Sequence, residues 1–178
     1  MNTYIALLRG LNVGGKNTLP MKELVSILEN MGAEKIRTYI QSGNATFQSV
    51  ERNSAKLSKQ LTAEIKQRHG FEPHVFLLTL EAMDAAIANN PFPQAELDPS
   101  SLHLGFLDSA PKGIDLTKLD NIKKESESFH LIGNVFYLHA PEGVGRSKLA
   151  ANTEKLLGVP VTDRNWNTVR KISALASD

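Results

Sequence analysis

The sequence predicts an α+β protein with mostly antiparallel sheets, divided into two halves. Three observations lead to this prediction. Short segments rich in β-branched and aromatic residues are interleaved with segments whose apolar residues recur every three or four positions, as strands and helices require. Two glycine-containing turns lie between alternating segments, which is typical of β-hairpins. A loop over residues 89–101, with three prolines, separates the two halves.

The first half has the order βαββαβ. An apolar strand comes first, and Pro20 then opens a helix with one apolar stripe that stops at Gly32. Two alternating strands flank a Ser42-Gly43 turn, and a second helix and a strand follow. This order is that of the split βαβ, or ferredoxin-like, fold. The predicted elements are strand 4–8, helix 20–32, strands 35–40 and 45–49, helix 53–69 and strand 72–78.

The second half partly repeats this order and ends in two helices. We therefore predict two ferredoxin-like subdomains over residues 1–90 and 91–178, with one integrated unit as the alternative. Trp166 anchors the last helix, and Thr162 or Asp163 is expected to cap it. The predicted elements are a short helix 80–87, strand 102–107, helix 114–122, strands 127–132 and 135–140, and helices 147–157 and 165–176.

The composition limits the kinds of functional site that the chain can contain. The chain has 178 residues, 41% of them hydrophobic and 22% charged, with a net charge of +1 and no cysteine. Disulfides, thiolate metal sites and cysteine nucleophiles are thereby excluded. No metal-binding histidine spacing, membrane span or secretory signal is present, so we expect a cytoplasmic protein without cofactor, metal or membrane partner.

Hairpin register predicts which side chains share a face. If Ser42 and Gly43 form the first turn, Ile40 pairs with Ala45 and one face is apolar. The opposite face is polar and carries Arg37, Tyr39, Gln41 and Asn44. In the second hairpin the apolar face holds Phe129, Leu131, Phe136 and Leu138, with Ser128, His130, Tyr137 and His139 opposite.

The polar faces suggest a ligand surface. Some ferredoxin-like sheets bind single-stranded RNA by stacking bases on aromatic residues, and Arg37 and Tyr39 would suit that role. Strand 4–8 is apolar on both faces, however, so its second face is expected to be covered.

A glycine-rich loop follows the first strand. Residues 10–16 match the pattern G-x-x-x-x-G-K of phosphate-binding loops, with Arg9 just before them. Asn17 stands where such loops have Ser or Thr, and Pro20 places the helix start too far along the chain. The hairpin after the first helix also breaks the βα order of a parallel sheet. A nucleoside triphosphatase is therefore disfavoured, whereas binding of an anion by the loop stays open.

Two further segments are candidate anion sites. Arg146 and Lys148 flank Ser147 at a helix start, and Arg164 and Asn165 lie before Trp166. The alternative in each case is a capped helix with solvated charges. The candidate ligand-binding residues are Arg9, Asn12, Gly14, Gly15, Lys16, Arg37, Tyr39, Gln41, Ser42, Asn44, Arg146, Lys148, Arg164 and Asn165.

Three blocks, residues 4–16, 38–44 and 162–171, carry a resemblance that extends over the chain. The sequence resembles the bacterial domain-of-unknown-function family 1697. The resemblance implies a cytosolic α+β protein of two subdomains and implies no activity. It directs attention to Arg9, Asn12, Gly14, Gly15, Lys16, Gln41, Ser42, Gly43, Asn44, Arg164, Asn165 and Thr168.

The favoured hypothesis is a binding module for an anionic ligand, either nucleic acid or a phosphate-bearing small molecule. One alternative is an enzyme acting on a small phosphorylated or carboxylated substrate, although no catalytic residue stands out. The other is a protein-interaction module. The sequence leaves the oligomeric state open.

Overall fold

The computed structural model describes residues 1–178 and shows an α+β fold with two four-stranded antiparallel sheets. The predicted fold class is confirmed. Two 3₁₀ turns, Pro93–Leu97 and Pro99–Ser101, occupy the proline-containing loop. No helix combines the length and the apolar character needed to cross a lipid bilayer. In chain order the elements are β1 Asn2–Arg9, α1 Met21–Asn30, β2 Glu34–Tyr39, β3 Asn44–Ser49, α2 Ser54–His69, β4 His74–Thr79, α3 Leu80–Ala88, β5 Leu102–Leu107, α4 Thr117–Ile122, β6 Ser128–Ile132, β7 Val135–His139, α5 Lys148–Leu157, β8 Val161–Asn165 and α6 Trp166–Ser177.

The chain forms two compact units. Unit 1 contains residues 1–85 together with 171–178, and unit 2 contains residues 86–170. The last residues pack on unit 1 because Arg37 Nη1 donates to the Leu175 carbonyl at 3.2 Å and lies 3.1 Å from the Asp178 carboxylate. The sequence analysis places residues 171–178 in the second subdomain, because it divides the chain at the proline-containing loop.

Unit 1 is built around β1. Its sheet has the order β2-β3-β1-β4, so β1 is hydrogen-bonded on both sides. Tyr4, Ala6 and Leu8 pack against the apolar stripes of α1 and α2. Ile5 and Leu7 point to the opposite face and are also fully buried. The expectation that this second face is covered is therefore confirmed.

The first hairpin has a different register from the predicted one. Thr38 pairs with Ala45 and Tyr39 with Asn44, so the loop has four residues, 40–43. The predicted pairing of Ile40 with Ala45 was wrong. The loop is widened because Asn44 Nδ2 donates to the Tyr39 carbonyl at 3.1 Å, which closes the strands early. Thr38, Ala45 and the other paired residues keep their predicted faces, since the shift is two residues and strand side chains alternate with period two. Ile40 and Gln41 instead lie in the turn, and Ile40 is exposed rather than on the apolar face as predicted.

Unit 2 contains the second sheet, in the order β6-β7-β5-β8. In its hairpin Phe129 pairs with Leu138 and Leu131 with Phe136, which confirms the predicted register. The two-residue turn begins with Gly133 at φ 56°, as a type II′ turn requires. The apolar face packs on α4 and α5 through a core that contains Phe136, Leu138, Leu119, Leu149 and Leu157.

Strand β8 was missed by the sequence analysis. Residues 161–165 pair antiparallel with β5 along its full length. Unit 2 therefore repeats the complete βαββαβ order of unit 1. The predicted cap of α6 is corrected as well. Thr162 and Asp163 lie within β8, and Asn165 caps the helix by accepting a hydrogen bond from the Thr168 amide at 2.9 Å.

Gly43 is a position at which only glycine fits. Its φ is +85°, and a Cβ there would lie 2.8 Å from Leu11 Cδ1 and 2.9 Å from Leu8 Cβ. We expect Gly43→Ala to lower the free energy of unfolding by about 2–4 kcal/mol, because backbone strain and overpacking add. Urea unfolding measures this loss.

Gly32 provides the matched control. Its φ is +80°, but a Cβ there would meet no atom within 4 Å. Gly32→Ala should therefore cost only the backbone strain, about 1–2 kcal/mol. Equal losses for the two variants would contradict the close packing of Gly43.

Candidate functional site

The glycine-rich loop, residues 10–19, is a small β-turn finger. Lys16 N donates to the Val13 carbonyl at 3.1 Å, and Asn12 N donates to the Asn17 carbonyl at 3.2 Å. Gly14 and Gly15 have φ values of 59° and 72°, the pair of positive values that defines a type I′ turn. The tip is exposed from Val13 to Asn17. The glycines are therefore required by the shape of the turn.

Asn12 attaches this finger to the rest of unit 1. Its Nδ2 donates to the carbonyls of Leu19 at 3.0 Å and Gln41 at 2.8 Å, and its Oδ1 accepts from Leu19 N at 2.8 Å. The residue has φ 55°, which asparagine tolerates better than most residues. Leu11 and Leu19 anchor the two ends of the loop in the core. One side chain thus holds both ends of the loop and the neighbouring hairpin turn.

Hydrogen bonds also fix the neighbouring turn, residues 40–43. Leu8 N donates to the Gly43 carbonyl at 2.8 Å, and Asn44 Nδ2 donates to Ser42 Oγ at 2.9 Å. Gln41 contributes its carbonyl to Asn12. The structure therefore joins the base of the finger, at Asn12, to the turn that contains Gln41, Ser42 and Gly43. Gly14, Gly15 and Lys16 lie at the exposed tip, and their only backbone bond there runs from Lys16 to Val13.

This arrangement is not that of a phosphate-binding loop of a triphosphatase. Such a loop runs directly into a helix whose amides face the phosphate. Here α1 begins at Met21, four residues beyond Asn17, and β1 lies in an antiparallel sheet. Asn17 instead donates its side-chain amide to the Gly10 carbonyl at 3.3 Å, which braces the base of the finger.

The tip presents hydrogen-bond donors to solvent. The amides of Gly14 and Gly15 have no acceptor within the chain, and Lys16 forms no ion pair. Arg9 ends β1 opposite His74 of β4 and is exposed. The finger therefore presents several hydrogen-bond donors to solvent, and its own turn contains no carboxylate that could accept from them.

The remaining candidates in unit 1 lie along β2. Arg37 is engaged by the Leu175 carbonyl and the Asp178 carboxylate. Tyr39 ends β2, half-buried, with its carbonyl held by Asn44. Arg37 therefore has a structural role. Sequence reasoning could not anticipate this role, because the partners of Arg37 lie about 140 positions away in the chain.

The unit 2 candidates have local structural roles. Ser147 caps α5 by accepting from Ala150 N at 3.0 Å, which leaves Arg146 and Lys148 exposed beside it. Arg164 is half-buried in β8 and donates to Thr162 Oγ1 at 2.7 Å. Burial lowers the pKa of the Arg164 guanidinium to about 10, although the Asp163 carboxylate opposes this shift.

A histidine–aspartate pair was not found by the sequence analysis. Nδ1 of His103 in β5 lies 2.7 Å from Asp163 Oδ2 in β8, and Nε2 lies 3.1 Å from the Ser100 carbonyl. Burial acts to lower the pKa of His103, but the hydrogen bond and charge of Asp163, with the Ser100 carbonyl, raise it above the ordinary value. Both ring nitrogens face acceptors, so the pair favours the charged imidazolium and leaves no free nitrogen for base catalysis.

Metal binding has no geometric support in the chain. No group of three or more His, Asp or Glu side chains lies close enough together to hold an ion. The finger, with its amides and Lys16, is accordingly the best-defined candidate site.

Comparisons with known proteins place the chain in a family. A family model described as "Protein of unknown function (DUF1697)" matches residues 1–137. The chain belongs to the DUF1697 family. The DUF1697 assignment confirms the resemblance found in the sequence, and the match includes the Gly-rich finger and its supporting turn.

A solved structure supports the fold of the chain over nearly its full length. The chain is similar to a structure described as that of the conserved bacterial protein SP0830 from Streptococcus pneumoniae, with 28% sequence identity and a TM-score of 0.72. The similarity covers 98% of each chain. No functionally curated protein matches the sequence.

Removal of the Asn12 side chain should loosen both loops. We expect Asn12→Ala to lower the free energy of unfolding by about 2–3 kcal/mol, since three hydrogen bonds of about 1 kcal/mol each are lost. Asn17→Ala carries the same backbone strain, since Asn17 also has a positive φ of 51°, but it removes only one exposed bond of 3.3 Å, so it should cost about 1–2 kcal/mol less than Asn12→Ala. Urea unfolding of both variants tests this, and a smaller loss for Asn12→Ala than for Asn17→Ala would contradict it.

The His103–Asp163 pair predicts a pH dependence of stability. Because the folded pKa of His103 is raised, its stabilising contribution is fully present below about pH 6.5 and is lost as pH rises through the folded pKa. His103→Gln should therefore lower the melting temperature more at pH 6 than at pH 9. Thermal melts of both proteins across this range measure the difference.

Asp163→Asn is the companion variant. It keeps the shape of the partner but removes the carboxylate charge that raises the pKa of His103. The extra stability at low pH should shrink in this variant as well. A difference between native protein and His103→Gln that is independent of pH would show that the pair is not charged.

Proposed function

We propose that this protein is a binding module for an anionic, phosphate-bearing ligand, and that the finger at Gly14, Gly15 and Lys16 is its contact point. One observation carries the proposal. Two adjacent exposed amides without intramolecular acceptors stand next to a lysine without an ion-pair partner. Amide donors and a cation on one turn suit the oxygens of a phosphate group.

Rigidity strengthens this proposal. A flexible glycine loop loses conformational entropy when a ligand orders it, which weakens binding. Here the Asn12 side chain and the buried Leu11 and Leu19 fix the base of the finger, and the type I′ turn restrains its tip. The donors of Gly14 and Gly15 are thus pre-organised.

The alternative of an enzyme has less support at this position. Catalysis on a small molecule favours an enclosed pocket with converging polar groups. The tip from Val13 to Asn17 is instead exposed at every residue. A protein-interaction module draws some support from Val13 and Ile40, whose side chains are 69% and 52% exposed on the two loops that Asn12 joins.

The test is a titration followed by amide NMR at low salt. The probes are inorganic phosphate, Mg-ATP, and short single-stranded RNA and DNA of mixed sequence. We expect the Gly14 and Gly15 amide resonances to shift with at least one probe. Affinity should fall as salt rises, because exposed charges are screened and phosphate contacts release counterions.

Variants at lysine positions make the test specific. Lys16→Gln should weaken binding by about 3–10-fold, equivalent to roughly 1 kcal/mol for an exposed charge contact. Lys59→Gln is the matched control, because Lys59 is an exposed lysine on α2 that forms no ion pair. Unshifted Gly14 and Gly15 resonances with every probe, or equal affinities for the two variants, would overturn the proposal.

A further inference from the structure

Ile40 combines a strained backbone with a side chain that lies outside the core. Its φ is 51°, in the left-handed region, and a β-branched residue is poorly suited to that conformation. The residue is 52% exposed and is not part of the apolar core of unit 1. Glycine or asparagine would form the same turn with less strain. Strain that the fold does not use points to a contact outside the chain.

A second exposed apolar residue lies on the loop that is bonded to this turn. Val13 is 69% exposed at the tip of the finger. The residue before it, Asn12, donates from Nδ2 to the carbonyl of Gln41 at 2.8 Å, and Gln41 directly follows Ile40. The two apolar side chains are therefore presented by neighbouring loops that share a hydrogen bond. We call the following residues the apex surface: Val13, Gly14, Gly15, Lys16 and Ile40.

The chain around the apex surface is cationic. Neither residues 1–22 nor residues 35–50 contain Asp or Glu. The first carboxylate after the finger, Glu23, faces His69 Nε2 at 3.7 Å. A surface surrounded by charges of one sign attracts polyanions. The cationic residues of these two segments are Arg9, Lys16, Lys22, Lys35 and Arg37.

We infer, on the basis of the proposed function, that the anionic ligand is a single-stranded nucleic acid. One phosphate lies on the amides of Gly14 and Gly15, and a neighbouring base lies against Ile40 and Val13. Each nucleotide joins a phosphate to the apolar face of a ring, and the apex surface places amide donors beside apolar side chains. Lys16 adds charge that favours the phosphates.

The shape of the apex surface favours a single strand over other phosphate-bearing ligands. Small nucleotides are held in pockets that bury most of their surface, whereas Val13 to Asn17 are exposed at every residue. A duplex stacks its bases inside the helix and offers no ring face to Ile40. Inorganic phosphate would use the amides alone and leave the strain of Ile40 without a purpose. A single strand offers phosphates and free bases to an open surface.

This inference moves the base contact away from the sheet face that the sequence suggested. Arg37 on that face holds the Leu175 carbonyl and the Asp178 carboxylate. The apex surface lies instead at the turn end of the same hairpin, directly after β2. A strand can therefore bind there without displacing residues 175–178.

The experiment measures fluorescence anisotropy at low salt with labelled DNA of about twelve nucleotides, within the usual site sizes for single strands. One probe is a single strand of mixed sequence, and the other is an abasic strand of the same length and charge. We expect the abasic strand to bind about 3–10-fold more weakly, because it has no ring to bury the apolar side chains. A duplex of equal length and Mg-ATP should also bind more weakly than the single strand.

Ile40→Gly separates the base contact from the phosphate contact. It should weaken binding of the single strand by about 3–10-fold and leave the abasic strand unchanged, whereas Lys16→Gln should weaken both. The melting temperature of Ile40→Gly should not fall, because relief of the left-handed strain offsets the added freedom of the unfolded chain.

Val50→Gly is the matched control. Val50 is β-branched and 72% exposed, and it lies just beyond the end of β3 that is remote from the turn. Its replacement should leave the affinity for both strands unchanged.

Equal affinities for the single strand and the abasic strand, or a single strand bound equally well by Ile40→Gly and the native protein, would overturn the inference. If Lys16→Gln still weakened both strands in that case, the proposed phosphate site would stand without the base contact. If Lys16→Gln weakened neither, both proposals would fall. Displacement of the single strand by polyglutamate as readily as by unlabelled strand would identify an acidic polypeptide as the partner and would also overturn the inference.

Discussion

The side chain of Asn12 is the constraint on which the apex of unit 1 depends. A ten-residue loop and a four-residue turn meet there without a sheet ladder between them, so their backbone groups need other partners. A primary amide is suited to this task, since it has both donors and an acceptor. It satisfies both polar groups of Leu19 and the Gln41 carbonyl at once. Asparagine also accepts the left-handed backbone that aims the side chain inward.

The two units show how far periodicity predicts such a fold. The order βαββαβ of unit 1 and the register of the second hairpin followed from alternation and from the short Gly133-Asn134 turn, which leaves one pairing. The first hairpin was mispaired because its four-residue turn places Ile40 at φ 51°. A β-branched residue is rare in that conformation, and no local propensity identifies it.

Strand β8 and the His103–Asp163 pair escaped prediction for a related reason. Asp163, Arg164 and Asn165 are depleted in strands, so the segment resembled the approach to a helix. The sheet pairing that makes it a strand comes from β5, 60 positions earlier. With the strand unrecognised, nothing brought His103 and Asp163 together. The Gly-rich loop was identifiable because its signal is local, whereas the function of Asn12 depends on the tertiary approach of Gln41.

The hydrogen bonds of this chain show which polar groups have a structural role and which are free to bind another molecule. Several candidates chosen for their chemistry already bond to nearby backbone: Ser147 and Asn165 cap helices, Asn44 closes a turn, and Arg37 holds residues 175 and 178. A polar residue that completes a buried ladder is required for folding and needs no ligand to account for it. The amides of Gly14 and Gly15 at the finger are among the groups left over. They are backbone donors, so they are invisible to a search for reactive side chains. In a protein without a recognisable catalytic constellation, unmatched backbone on rigid elements is the stronger indicator of where another molecule binds.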